Sequence, residues 1–138
     1  MTEVYPRVFI GTIFNARNID FLEEKKITHI INCAHEVNNF YEKTHSYCRL
    51  EMRDTQIDNL EQVLELAHNE LTEILKDPQN IVLIHCAMGI SRSATVLIYF
   101  LMKTKKWNYK KTLEFVKRAY SSAQPNDYFR EYLESIAF

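Results

Sequence analysis

The chain of 138 residues is 46% hydrophobic, 12% aromatic and 25% charged, the composition of a globular domain with a core of its own, which excludes a disordered, collagen-like or disulfide-stapled chain. Seventeen Lys and Arg against eighteen Asp and Glu give a formal net charge of −1. No global field therefore favours nucleic acid or an anionic membrane, which leaves room for a local basic site only.

No apolar run reaches the roughly 20 residues that span a bilayer; Ala94 to Met102, the longest, is about half that. The N-terminal Met1-Thr2-Glu3 has neither a basic segment nor a Gly at position 2, and no prenylation Cys ends the chain. A soluble intracellular protein is expected, in the cytoplasm or the nucleus as well, without membrane or nucleic-acid partners. Cys33, Cys48 and Cys86 form an odd set with no metal-ligand spacing, as suits a reducing compartment. With no repeat or linker, residues 1–138 read as one domain.

In chain order, Arg7 to Gly11 reads as a strand and Asn18 to Lys26 as a short helix with an acidic start and a basic end. Thr28 to Ala34 and Tyr47 to Met52 are further strands. Leu60, Val63, Leu64, Ala67, Leu71, Ile74 and Leu75 follow a helical period, with Asp58 as the expected N-cap, Glu61 completing a variant capping box, and Pro78 as the stop. Asn80 to His85 is a continuous aliphatic run, suited to a central strand buried on both faces. Arg92 to Lys105, Trp107 to Ala119 with Asn108 as N-cap, and Asn126 to Ala137 complete the helices. The pattern predicts an α/β fold with a mainly parallel sheet flanked by helices, and ligands beyond the carboxyl ends of its strands.

At that end lies His85-Cys86-Ala87-Met88-Gly89-Ile90-Ser91-Arg92-Ser93, between the most hydrophobic strand and a helix start. Backbone amides at a helix start lack intrahelical partners, so Ala87 to Ser91 can cradle an oxyanion. One of only two glycines in the chain, Gly89, lies where such a loop needs a permissive backbone. Cys86 would feel the helix dipole, the amides and Arg92, all of which favour a thiolate nucleophile. Arg92 offers a planar fork for bidentate phosphate binding, and the Ser93 hydroxyl can stabilise the sulfur as it leaves a covalent intermediate.

Cys86, five residues, Arg92 and Ser93 make the C-x5-R-[ST] signature, and the wider HCxxGxSRS resembles the dual-specificity branch of the protein tyrosine phosphatases. The resemblance covers nearly the whole chain and extends to Gln124-Pro125-Asn126-Asp127, similar to that family's PN motif. It implies a metal-free and cofactor-free hydrolase of phosphotyrosine and phosphoserine or phosphothreonine in proteins, with Asp54 as general acid and Asn126 supporting the loop. His85 either orients the loop or is an ordinary core histidine. His35 to Tyr41 are expected to wall the entrance. Cys33 ends a strand expected beside that of Cys86, as a core cysteine or as a redox partner of the nucleophile. Alternatives are a phosphatase of phosphoinositides, opposed by the uncharged loop residues, or of RNA ends, opposed by Ser91 before the arginine where similar RNA phosphatases carry HCxxGxNR, and a noncatalytic phospho-binding relative, opposed by the intact Cys86, Arg92 and Asp54. Oligomeric state is not legible.

Overall fold

The aliphatic run that precedes the loop forms the middle of a five-stranded sheet. In the computed structural model, which describes residues 1–138, strands β1 (Thr2–Tyr5), β2 (Val8–Gly11), β3 (His29–Ala34), β4 (Ser46–Met52) and β5 (Val82–His85) lie in the order β1-β2-β5-β3-β4. Only β1 with β2 is antiparallel; the β2–β5, β5–β3 and β3–β4 pairs are parallel. Every residue of β5 is buried, as a central strand covered on both faces requires.

Alternation along the strands divides the core. Ile31, Val82 and Ile84 join the larger cluster with α3 (Leu60–Leu75), α4 (Arg92–Lys105), α5 (Tyr109–Ala119) and α6 (Asp127–Glu134). Ile30 and Leu83 point the other way and pack with Ala16 of α1 (Ile13–Arg17) and Leu22 of α2 (Ile19–Glu24). Helix α4 is buried from Arg92 to Met102, so the segment following the loop runs through the core. No helix is long and apolar enough to cross a membrane.

Several local expectations are corrected. Strand β1 and helix α1 had no periodic signature, being four and five residues long. Arg7 is not in a strand: Pro6-Arg7 turns the chain between β1 and β2, with Arg7 at φ 69°. That backbone is held because the Arg7 guanidinium donates to the carbonyls of Leu75, Asp77 and Asn80. Asp58 does not cap α3. Asn59 occupies the N-cap without a side-chain cap bond, so the Asp58–Glu61 box does not form. Helix α6 stops at Glu134, three residues before Ala137.

Candidate active site

Four segments meet beyond the carboxyl end of β5. Residues 86–91 curl from β5 to the start of α4, and neighbouring backbone clamps the curl. Ile13 N–H at the start of α1 donates to the Ala87 carbonyl at 2.9 Å, and Gln124 N–H donates to that of Ile90 at 2.8 Å. Gly89 adopts φ 72°, and a Cβ there would lie 2.5 Å from the Tyr120 hydroxyl and 2.8 Å from the Gly11 carbonyl oxygen. The glycine is therefore required both by conformation and by space.

Cys86 sits at the bottom of this curl, 2% exposed. Its Sγ accepts the Gly89 N–H at 3.2 Å and lies 3.3 Å from the Ser93 hydroxyl. The sulfur is thereby tied both to the curl and to the first turn of α4. Ser91 is the N-cap of α4 yet makes no side-chain cap bond; its hydroxyl instead accepts the Asn126 N–H at 2.9 Å. The first amides of α4 thus keep their anion-binding capacity.

Arg92 is 7% exposed and its donors can be counted. Nη1 donates to Glu36 Oε1 at 2.6 Å and to the Met52 carbonyl at 3.0 Å, and Nη2 donates to Glu36 Oε2 at 2.8 Å. Of the five N–H groups, Nε–H and the second hydrogen of Nη2 are uncommitted, and they share one edge of the guanidinium. That edge is a two-pronged donor for an oxyanion. The Arg92 hydrogen bonds pull the Glu36 carboxyl down to about 2, so the pair is ionic across the neutral range.

Asp54 lies on the exposed loop after β4 and accepts a hydrogen bond from Asn126 Nδ2 at 3.0 Å. Asn126 also caps α6, its Oδ1 accepting Phe129 N–H at 2.8 Å. This one residue therefore joins the Asp54 loop, the curl through Ser91, and α6. His85 is fully buried. Its Nδ1 faces the Cys86 carbonyl at 3.3 Å and its Nε2 has no partner. Since a carbonyl only accepts, Nδ1 carries the hydrogen, and burial pulls the imidazole down to about 4, so it is neutral. His35 and Glu36, from the expected entrance wall, stand beside Arg92 and Arg53.

Cys33 is fully buried. The register that pairs Asn32 with His85 brings it alongside Cys86, and burial, then Cys86, push its thiol up. Met88 and Ile90 expose apolar side chains around the mouth. Sequence reasoning did not single out Glu36 as the Arg92 partner or Tyr120 as the backing of Gly89. The readable sign for Glu36 was a carboxylate two residues past the end of a strand next to β5.

A family model described as dual specificity phosphatase, catalytic domain, matches residues 8–136. The chain belongs to that family. It is 34% identical over 136 residues to Protein phosphatase Slingshot of Drosophila melanogaster, covering 99% of this chain and 13% of that protein. To the Slingshot homolog of Xenopus laevis it is 32% identical, over 97% of this chain and 19% of the relative. The chain thus spans a fifth or less of those two proteins. The crystal structure of DUSP15 superposes with a TM-score of 0.89 at 28% identity, covering 97% of this chain and 85% of that one.

Proposed function

We propose that residues 1–138 form one catalytic unit, a protein phosphatase that hydrolyses phosphotyrosine and phosphoserine or phosphothreonine through a phosphocysteine. The observation that carries this reading is the Cys86 Sγ held by Gly89 N–H and the Ser93 hydroxyl, at 3.2 and 3.3 Å, in a curl that ends at Arg92, two of whose N–H groups are uncommitted.

In the first step the amides of the curl and Arg92 bind the phosphoryl oxygens, and the Cys86 thiolate attacks phosphorus. The S–P bond forms as the P–O bond to the leaving group breaks, and Asp54 gives its proton to that oxygen. In the second, water attacks phosphorus, the Asp54 carboxylate takes its proton, and the sulfur departs as thiolate, stabilised by the Ser93 hydroxyl. Positioning and fixed charge supply most of the rate, since the equatorial oxygens carry the developing negative charge. The hydrogen bond from Asn126 holds Asp54 beside the curl.

Substrate class is supported by the family and by the loop itself. Ala87, Met88, Ile90 and Ser91 add no charge, so the mouth is not built to collect several phosphates at once. A phosphorylated side chain of a cytoplasmic or nuclear protein fits better than a polyphosphorylated headgroup.

The test is hydrolysis of para-nitrophenyl phosphate, followed by a peptide phosphorylated on both residues of Thr-x-Tyr. Wild type is expected to turn over both and to clear both phosphates. Cys86→Ser should be inactive. Asp54→Asn should lose about 10²- to 10⁴-fold in kcat and the alkaline fall of the rate with it. No turnover by reduced wild type, with a phosphopeptide still bound, would overturn the reading. Retention of phosphothreonine while phosphotyrosine is cleared would overturn its dual specificity.

A further inference from the structure

The near-zero net charge conceals a strong segregation. Between Lys103 and Arg118 the chain carries seven cations against Glu114 alone, so the remainder holds ten cations and seventeen acids. Lys103 is paired with Glu65. The other six, Lys105, Lys106, Lys110, Lys111, Lys117 and Arg118, are exposed, and none of the molecule's ion pairs involves them. Helix α5 packs through Tyr109, Thr112 and Val116. Lys110, Lys111, Lys117 and Arg118 then fall on its opposite, solvent face by the helical period, with Glu114 among them.

Two further features shape this face. Trp107 and Phe115 pack at 5.3 Å between ring centroids, with Lys111 Nζ 4.9 Å over the indole. Together with Glu114 and Arg118 they line an open cleft of about 570 Å³. The far end of α5 leads to the candidate active site: Tyr120, just past the helix, sets its hydroxyl against Gly89, and Gln124 holds the Ile90 carbonyl.

We propose that the solvent face of α5 is a docking track for an acidic segment of the substrate protein, a segment with one bulky apolar residue among its carboxylates. This rests on the phosphatase reading for the word substrate. The eleven residues of α5 span about 16 Å, a length that an extended peptide covers in about five residues. The cations take the carboxylates and the Trp107–Phe115 cleft takes the apolar side chain. A peptide fits better than a bilayer because Trp107 and Phe115 are half-buried, line a recess, and have Lys111 over the indole, so they offer no exposed apolar wedge for insertion. The uncharged curl fits the same division of labour, with acidic recognition placed on α5, away from the reacting phosphate.

The test uses phosphotyrosine peptides carrying a Glu/Asp-rich segment with one Phe, placed about five to eight residues to either side of the phosphotyrosine. Controls carry Gln and Asn in place of the acids. One acidic peptide is expected to exceed its control roughly tenfold in kcat/KM, through KM, and to lose the gain at about 0.5 M salt. Lys110→Glu/Lys111→Glu/Lys117→Glu should abolish the gain while leaving para-nitrophenyl phosphate turnover unchanged. The corresponding triple Gln variant should reduce it, which guards against a folding defect in the first. Equal rates for acidic and neutral peptides would overturn the track and leave the phosphatase standing. Were the small substrate not hydrolysed, the phosphatase reading would fall, and fluorescence anisotropy of the acidic peptide against both variants would still decide the track. Variant-sensitive binding to phosphatidylserine vesicles, with no response to acidic peptide, would also overturn it.

Discussion

Arg92 can serve an oxyanion only along the edge that Glu36 and the Met52 carbonyl leave open, so Glu36 is expected to act as a positioning residue without touching substrate. Losing a bidentate, charge-assisted pair frees the guanidinium to rotate; hydrogen bonds of this kind are worth about 1.5–3 kcal/mol. Glu36→Ala should therefore lower kcat/KM for para-nitrophenyl phosphate about 10- to 100-fold, raising KM as well as lowering kcat. Glu36→Gln, which keeps one acceptor, should recover part of it. Unchanged kinetics in the Ala variant would refute the role. His85 gives a different prediction, on stability. Its folded-state pKa is pulled by burial to about 4, below the ordinary 6.5, so the unfolded chain binds the extra proton between those values. The stability it contributes is complete above about pH 6.5 and is lost as pH falls toward 4, by at most ~3 kcal/mol. His29 and His68 are shifted the same way by burial, so the comparison is with His85→Gln. Urea unfolding at pH 7 and 4.5 should show a smaller loss in the variant, and parallel losses would refute the assignment.

At the scale of elements, what could be read depended on length and period. Helices α3, α4 and α5 repeat their apolar residues often enough to declare themselves, and β5 does so by being aliphatic throughout. Helix α1 is five residues long and has too few turns to show a period. Strand β1 was hidden because Arg7 reads as the first residue of a strand, when Pro6-Arg7 is the turn of a hairpin stabilised by carbonyls some seventy residues away. Asp58 reads as the cap, but the loop delivers its neighbour Asn59, an equally suitable residue type, to that position. The curl from Cys86 to Ser91 is the opposite case, since its sequence, its glycine and the helix after it are contiguous. Its rigidity carries a prediction. Gly89→Ala places a Cβ 2.5 Å from the Tyr120 hydroxyl and 2.8 Å from the Gly11 carbonyl oxygen at φ 72°, a backbone region that costs L residues roughly 1–2 kcal/mol. The curl must shift, and displacements near 1 Å cost about 10² in rate. A loss of that size is expected with the circular dichroism spectrum retained. Adding Tyr120→Phe should not restore activity, because the Gly11 backbone still blocks the site; full rescue would assign the clash to the hydroxyl alone.

Over the whole molecule, the candidate site is assembled from residues 36, 54, 86–93 and 120–126, and only the third of these is legible from local sequence. Asp54 and Asn126 came from resemblance, which supplies an alignment where spacing alone cannot. Glu36 came from neither, because its role depends on parallel strands gathering their carboxyl ends at one edge, and that juxtaposition exists only in the folded sheet. This dispersed construction couples the site to global folding. An oxyanion that binds the curl bridges the β5–α4 connection and the Arg92–Glu36 link to β3, so it recognises the native state and not the unfolded chain. Such a ligand stabilises by RT ln(1 + [L]/Kd), about 2.7 kcal/mol at a hundredfold excess over Kd, which for a domain of this size raises Tm by roughly 6–12 °C. Tungstate is a suitable probe because it presents tetrahedral oxygens without being turned over. Wild type and Cys86→Ser should both gain, since amides and arginine do the binding and the serine keeps the curl. Arg92→Ala should gain little at the same concentration, and Glu36→Ala should fall between, because its guanidinium is present but no longer aimed. An equal gain in all four proteins would place the anion elsewhere, and the cations of α5 would be the first alternative, tested by repeating the scan on the triple Glu variant.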